Sequence, residues 1–360
     1  MSNTHTVSNP GVSASGEVDS LLIEKFNNKV SEAFDKQENL MRFFDVNTVV
    51  GTDMVSDKHL GDTELQALAP GEDPNSQPVE HEKNALVIDT IVIGRNTVAT
   101  LHDVQNDIDG YKSKIAKNQA GKLKKLEDEM LIQQMIYGAL TNNSSVKTRP
   151  RVSGTGYSEL VEISDAQALD PNQIRAAVEL TIENMLTGVG GDGDGVDVMD
   201  LMLALPWEYF NVLRDAERVV NGDYNTYAGE TVNGFVLKSY NIPVFPSNRF
   251  PRDIGGTIKS GTAILSNANN GFRYTANATQ ATAVALLFEA EALLVGRTIE
   301  IQGDIFFDKR SKSFFIDTWF AEGATPGRWD KLGMVKRGAA ENTAVTTRAS
   351  RYAKVTKTLA

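Results

Sequence analysis

Between Val46 and Lys83 the chain runs for nearly forty residues with strand-like stretches and no helical pattern, and this segment constrains the fold more than any other. Val46, Thr48 and Val50 alternate, as do Leu65 and Ala67, while Gly51, Gly61, Pro70, Gly71, Pro74 and Pro78 interrupt them. Connections of this length inside compact domains are uncommon, and they are usually functional or disordered. Val49, Val55, Leu60, Leu65 and Leu68 supply apolar surface that a disordered tract lacks, so the segment reads as a long two-stranded hairpin. In Leu68-Ala69-Pro70-Gly71-Glu72, proline sets φ for the first central turn position and glycine accepts positive φ at the second, which marks the hairpin's turn. An isolated two-stranded hairpin is marginal in water. Another subunit must therefore hold it, and the residues point to assembly rather than catalysis.

A strand follows at Ala85 to Val98, with Leu86, Ile88, Ile91, Val92 and Ile93 placing apolar groups on both faces, as a buried strand does. A single long helix is then expected over Asp107 to Leu140, capped by Asp107 or Asp109 and spanning about 50 Å at 1.5 Å per residue. Its stripe is Ile115, Gln119, Leu123, Leu126, Met130, Tyr137 and Leu140, with mostly polar residues between. Lys122, Lys124 and Lys125 followed by Glu127, Asp128 and Glu129 read as surface pairs worth about 0.2–0.5 kcal/mol each. Gly121 marks a bend or a close crossing, since a mid-helix glycine costs roughly 1 kcal/mol against alanine.

Residues 1–16 have the polar, small-residue composition of a flexible terminus. Val18, Leu22, Phe26, Val30 and Phe34 then recur every fourth residue, which predicts an amphipathic helix laid across a body or a neighbour, or an ordinary core helix. Residues 141–165 read as a polar surface insertion. Asp170-Pro171 starts a helix, with Asp as N-cap and Pro at the first helical position, and its stripe is Ile174, Ala177, Val178, Thr181 and Met185. A strand at Val198 to Leu205, a helix restarted by Pro206 and two strands at Gly234 to Leu237 and Ile242 to Val244 complete a mixed α/β unit. Strands at Val284 to Phe288, Leu293 to Gln302 and Phe314 to Phe320 are expected to pair with the Ala85 to Val98 strand and lie along the long helix.

Composition excludes much. The chain carries −11 at pH 7, yet from Arg328 onward eight basic residues face only Asp330 and Glu341, leaving a +6 end on a −17 body. A basic end can touch nucleic acid, or pair with acidic surface on its own or a neighbouring subunit, the commoner outcome. The acidic body argues against a dedicated DNA binder, which needs a basic face. With no cysteine, thiol chemistry and Cys-based zinc sites are impossible. No apolar run reaches the roughly 18 residues that span a bilayer, and no signal peptide is read at the start. The sharpest chemical motif is Gly190 to Asp197, where Asp192, Asp194 and Asp197 lie on a glycine-rich loop able to offer oxygens to Ca²⁺. Its spacing fails the EF-hand pattern, and a flexible acidic turn is the simpler reading. His81-Glu82 lacks the second histidine of a zinc helix, and neither a G-x-S-x-G elbow nor a phosphate-binding loop is present. No catalytic residue, metal ligand or cofactor is assigned.

In its order of segments the chain resembles the major capsid proteins of short-tailed, T7-like phages, members of the HK97-type fold class. The resemblance is carried by Ala69-Pro70-Gly71-Glu72, by Val87 to Ile93 leading to the helix at Asp107 to Leu140, by Asp197 to Pro206, and by Ala321 to Arg328, and it covers roughly Val18 to Arg337. It implies an α+β fold with an N-arm (1–45), an extended E-loop (46–84) and a peripheral domain with the spine helix (85–165). An α/β axial domain (166–282), further peripheral strands (283–327) and a basic C-terminal tail (328–360) complete it. It also implies hexamers and pentamers closing an icosahedral shell around double-stranded DNA in the virion. Assembly would take place in the host cytoplasm, with a scaffolding protein and a portal as partners and no membrane. The residues expected at contacts between copies are Leu22, Phe26, Val30, Phe34, Leu65, Leu68, Pro70 and Glu72. The stretch after Leu140 and the tail past Val335 are longer than the family's pattern, and either could take a decoration or scaffolding protein. Some relatives crosslink through an E-loop lysine and an asparagine; Lys58 is the candidate here, but no partner for it is evident, and no crosslink is expected. Two other readings remain: a fibre or decoration protein of the virion, and a metal-binding hydrolase using the Asp192, Asp194 and Asp197 loop.

Overall fold

The computed structural model describes residues 40–60, 66–76, 81–101, 111–141, 159–187, 195–225 and 231–358. A 3-10 turn, Leu40–Phe43, is followed by β1 (Val46–Thr48), β2 (Met54–Leu60), β3 (His81–Val87), β4 (Val92–Ala99) and helix α1 (Tyr111–Leu140). Next come β5 (Glu159–Glu162), α2 (Pro171–Thr187), β6 (Met202–Pro206), α3 (Trp207–Asp215), β7 (Val219–Asn225), β8 (Thr231–Leu237) and β9 (Ile242–Ser247). The chain closes with β10 (Arg252–Ile254), β11 (Thr257–Lys259), β12 (Ala283–Phe288), β13 (Leu293–Asp308), β14 (Ser313–Pro326), β15 (Leu332–Lys336) and α4 (Thr343–Thr358).

Two sheets organise these elements. One has seven strands in the order β5-β15-β12-β6-β9-β8-β7, and the other four in the order β1-β13-β14-β4. β12 is buried at every position because its side chains alternate between two cores. Leu286 and Phe288 face the core around α1, while Ala285 and Leu287 face the core under α2 and α3. On its other side α1 lies along β14, so it is covered by both sheets. That explains its composition. The single apolar stripe read from sequence is only part of a helix buried nearly all round from Gln119 onward, with Gln119, Lys124, Glu127, Asp128, Glu129, Gln133 and Gln134 inside.

Buried polar groups need partners. Gln119 Nε2 donates to the carbonyls of Gly94 and Ile316, and its Oε1 accepts from Thr318 Oγ1, stitching α1 to β4 and β14. Gln133 Nε2 donates to the Arg273 carbonyl at 2.7 Å. The helix runs unbroken through Gly121, and its close crossing is at Gly138 instead. A Cβ at Gly138 would stand 2.9 Å from Leu332 Cδ2 and 3.0 Å from Pro326 Cγ, where the two sheets meet.

Several expectations require correction. Ala85 to Val98 is two strands in different sheets: β3 pairs with β2, whereas β4 pairs with β14. β12 joins the seven-stranded sheet between β15 and β6 instead of lying beside β4. Glu159 to Glu162 is no surface insertion but a strand parallel to β15, and Ile163 after it is fully buried. Val198 to Asp200 is a 3-10 turn, and the strand starts at Met202. By contrast, the basic stretch past Arg328 pairs with acidic groups of its own chain, the commoner of the outcomes expected. β15 is an inner strand of the seven-stranded sheet, and α4 packs on α2 with Val345 and Ala349 in the core.

Candidate assembly interface

Among the described residues, the hairpin formed by β2 and β3 pairs with no other strand. Its foot is firmly seated. Leu86 is fully buried on the face of the four-stranded sheet opposite α1, together with Ile88, Val49, Leu294 and Ala321. Two glycines, paired across β13 and β14, leave the room: a Cβ at Gly296 would lie 3.1 Å from Leu86 Cδ2, and one at Gly323 3.2 Å from Leu86 Cδ1. Asn84 Nδ2 donates to the Gly327 carbonyl at 2.7 Å. Where β3 ends, the Asp89 carboxylate accepts from Asn267 and Asn269. These amides, Asn269 foremost, hold its pKa below the usual aspartate value against a smaller effect of burial.

Away from the foot the described outward-facing residues of the hairpin are exposed. Pairing alternation puts Val55 and Leu86 on the face toward the body and Met54, Ser56, Lys58, Lys83 and Ala85 on the outward face, where all five are exposed. The turn beyond is ordered by local bonds. Gln66 and Asn75 exchange two hydrogen bonds of 3.0 Å, the Glu72 carboxylate accepts from Ala69 N, and Gly71 takes φ +94° as the sequence requires. Leu68, Pro70 and Glu72 sit on this exposed turn. An ordered turn whose described residues are all exposed suits insertion against something else.

At the other side of the foot, α1 carries charge into the core. Lys124 and Arg297 lie 3.4 and 3.6 Å from the two Glu127 carboxylate oxygens, and Arg297 also pairs with Glu322. Burial raises the Glu322 pKa, the Glu127 charge raises it further, and Arg297 opposes both. Asp128 next to this network accepts the Leu40 N–H at 3.2 Å, and burial pushes its pKa up to about 7. The node joins α1, β13 and β14 where Val49 N bonds to the Arg297 carbonyl beside the hairpin's foot.

No family model matches the sequence, and no curated protein matches it significantly. Solved structures do. The chain is similar to the subunit in the asymmetric unit of the bacteriophage PhiM1 mature capsid, with a TM-score of 0.63 at 15% identity over 84% of this chain and 87% of that one. It is similar to the capsid of cyanophage P-SCSP1u, with a TM-score of 0.61 at 15% identity over 82% and 86% of the two chains. The capsid of a native GTA particle follows with a TM-score of 0.51 at 10% identity over 84% and 90%.

The chain has the HK97-type capsid fold. In those terms β2, β3 and their turn are the E-loop, and α1 is the spine helix. Of the predicted contact residues, the E-loop carries Leu68, Pro70 and Glu72, while Leu22, Phe26, Val30, Phe34 and Leu65 lie outside the described residues. The expected surface pairs of the spine helix are buried instead, Lys124 and Glu127 among them. The sequence reading missed the Gly296 and Gly323 seat; two glycines in neighbouring strand patterns were the signal for it. It also took the spine's charges for a solvated face, because periodicity cannot show that a second sheet covers them. Asp192 and Asp194 lie outside the described residues, and the Asp197 carboxylate accepts the Met199 N–H as a turn cap. Among the described residues no group of three or more His, Asp or Glu is placed to hold a metal. The basic C-terminal residues pair within the chain: Arg328 with Glu291 and Asp330, Lys331 with Glu289, Lys336 with Glu162, and Arg337 with Asp165. No described helix is long and apolar enough to cross a membrane.

Proposed function

We propose that this chain is a major capsid protein, the repeating subunit of an icosahedral phage head. Copies join as hexamers and pentamers into a closed shell around double-stranded DNA, and the virion is where the protein resides. Assembly in the host cytoplasm with a scaffolding protein and a portal belongs to the same reading, as do a decoration protein on the outside and the short-tailed grouping suggested by the sequence. The seven-stranded unit would form the axial domain, and the spine helix with the four-stranded sheet the peripheral one.

The observation that carries this reading is the E-loop, seated at its foot and bare beyond it. A two-stranded hairpin is marginal alone, so its outward face and turn gain stability only when a neighbour covers them. Apolar area buried there contributes about 25 cal/mol per Å², and modest contacts repeated around a shell add through multiplicity. Removal of Thr52 to Asn75 tests it. The shortened protein is expected to stay soluble and folded but to form no shells by electron microscopy when expressed with its scaffold. Normal shell yield would defeat the proposal.

A further inference from the structure

From Tyr111 to Leu126 the spine helix carries six lysines and no acidic residue. Folding sorts these charges. Lys124 is buried against Glu127, whereas Lys114, Lys117, Lys122 and Lys125 are exposed. At 3.6 residues per turn these four share one arc of about 140° with Asn118 and Gly121, running about 16 Å along the axis. Lys125 lies 3.3 Å from Glu129 and keeps half of its side chain in solvent. Among the described residues Lys114, Lys117 and Lys122 have no acidic partner. The arrangement works against the helix. Lys114 stands in a first turn that holds no acid, at the positive end of the macrodipole. Lys114 and Lys117, and Lys122 and Lys125, are like charges three residues apart and repel. Gly121 in their midst weakens the helix further. Local rules broken together on one exposed face, with nothing on the described chain to compensate them, mark a functional surface.

We propose that this lysine arc binds the phosphate backbone of double-stranded DNA, so that the spine side of the subunit is the side turned to the enclosed genome. This rests on the capsid reading and names the surface that meets the contents of the shell. The chain as a whole carries −11, and a wholly basic face is the exception on it. The other basic residues that sequence offered for nucleic acid, Arg328, Lys331, Lys336 and Arg337, are paired with acids of their own chain. The arc bears lysine, asparagine and glycine and no apolar residue. Protein interfaces are built on apolar anchors and are poor in lysine, so the arc suits a phosphate chain better than an acidic protein. Lysine meets phosphate as a point charge and reads no base. A duplex presents one negative charge per about 1.7 Å of its axis, which gives every lysine of the arc a phosphate within reach. The E-loop is seated on the face of the four-stranded sheet opposite the spine helix, so the surface proposed to hold a neighbour and the surface proposed to meet DNA are kept apart.

The test measures binding of the unassembled full chain to a short fluorescent DNA duplex of arbitrary sequence across a salt series. The wild type is expected to bind, with the logarithm of its binding constant falling linearly with that of the salt concentration. Lys114→Gln with Lys117→Gln and Lys122→Gln is expected to weaken binding at least about tenfold at low salt and to flatten that slope by about 2–3, at about 0.9 per lost phosphate contact. Glutamine keeps the helix propensity of lysine, so the circular dichroism spectrum should not change. Lys309→Gln with Arg310→Gln and Lys312→Gln removes the same charge from the exposed turn between β13 and β14 and should leave the slope as it is. An unchanged slope in the spine variant, an equal loss in the turn variant, or no binding by the wild type overturns the contact and leaves the capsid reading standing. An unchanged slope together with fewer shells, when the spine variant is expressed with its scaffold, overturns it too and assigns the arc to an acidic scaffolding protein. Failure of the wild type to form any shell removes the capsid reading itself, and the genome as occupant with it.

Discussion

Asp128 makes the stability of the fold depend on pH near neutrality, and Asp128→Asn isolates the effect. Burial raises this carboxyl from 3.8 to about 7 in the fold, against the partial relief given by the Leu40 N–H. A carboxyl raised on folding contributes stability that is fully present below its unfolded pKa and lost as pH climbs through the folded value. The relevant window runs from 3.8 to about 7. One pKa unit corresponds to about 1.4 kcal/mol, so the whole shift is on the order of 4 kcal/mol, of which about 2–3 kcal/mol falls between pH 5 and 8. Asparagine keeps the oxygen that accepts from Leu40 and cannot ionise. The variant should therefore gain on the wild type as pH rises, with the difference in unfolding free energy widening by about 2–3 kcal/mol from pH 5 to pH 8. Urea unfolding of unassembled subunits at unit pH intervals measures it. A difference that stays constant, or narrows toward pH 8, would show that the buried carboxyl is not what titrates, and the reasoning would fail.

Two further predictions concern the E-loop's foot and the C-terminal charges. Leu86→Ala empties the seat between Gly296 and Gly323 and should cost about 2–5 kcal/mol in urea unfolding, with shell yield falling further than that of an equally destabilised variant in the core under α2. Lys331→Met leaves Glu289 without its 2.6 Å partner; burial already raises that carboxyl's pKa, so subunit stability at pH 8 should drop by about 1–3 kcal/mol, while DNA content per particle stays unchanged.

Much of this architecture can be read from local pattern. Pro70-Gly71 dictates the E-loop turn whatever surrounds it, because φ at Gly71 is a backbone requirement. Asp170-Pro171 starts α2 for equally local reasons, the Asp170 carboxylate accepting from Asn172 N. Pairing partners are another matter. Leu86 and Val92 look alike in sequence, yet Asp89 and Thr90 between them turn the chain from the E-loop to the body sheet, and the partners that fix this turn, Asn267 and Asn269, lie far along the chain. The same holds for the C-terminal segment. Its positive charge suggests acidic partners, but only folding shows which: Glu162, Glu289 and Glu291 are brought to it. Among the predicted contact residues, the turn at Leu68 to Glu72 was legible because its Pro-Gly pair fixes the backbone locally. The Gly296 and Gly323 seat was not, because cross-strand register is absent from a linear reading.

The distribution of rigidity in this subunit is itself an argument about assembly. The spine helix is clamped by two sheets and carries its charges in bonded networks, so it can transmit a pull without melting. The E-loop is fixed at its foot by a leucine between two glycines and its described outward-facing residues are exposed, so a partner that took this face would pull on Leu86 and through it on β13 and β14. Arg297 and Glu322 stand on those strands, paired across them, and Arg297 also reaches Glu127 of the spine. A load on the E-loop therefore reaches the buried charge node within two packing steps. Breaking such a node leaves uncompensated buried charge, which costs several kcal/mol, so the subunit responds as a unit and not by local give. An anchored hairpin with an exposed outward face, tied to an ionic core, is what the proposed shell subunit would need, because the strength of such a wall would depend on every subunit holding the next one.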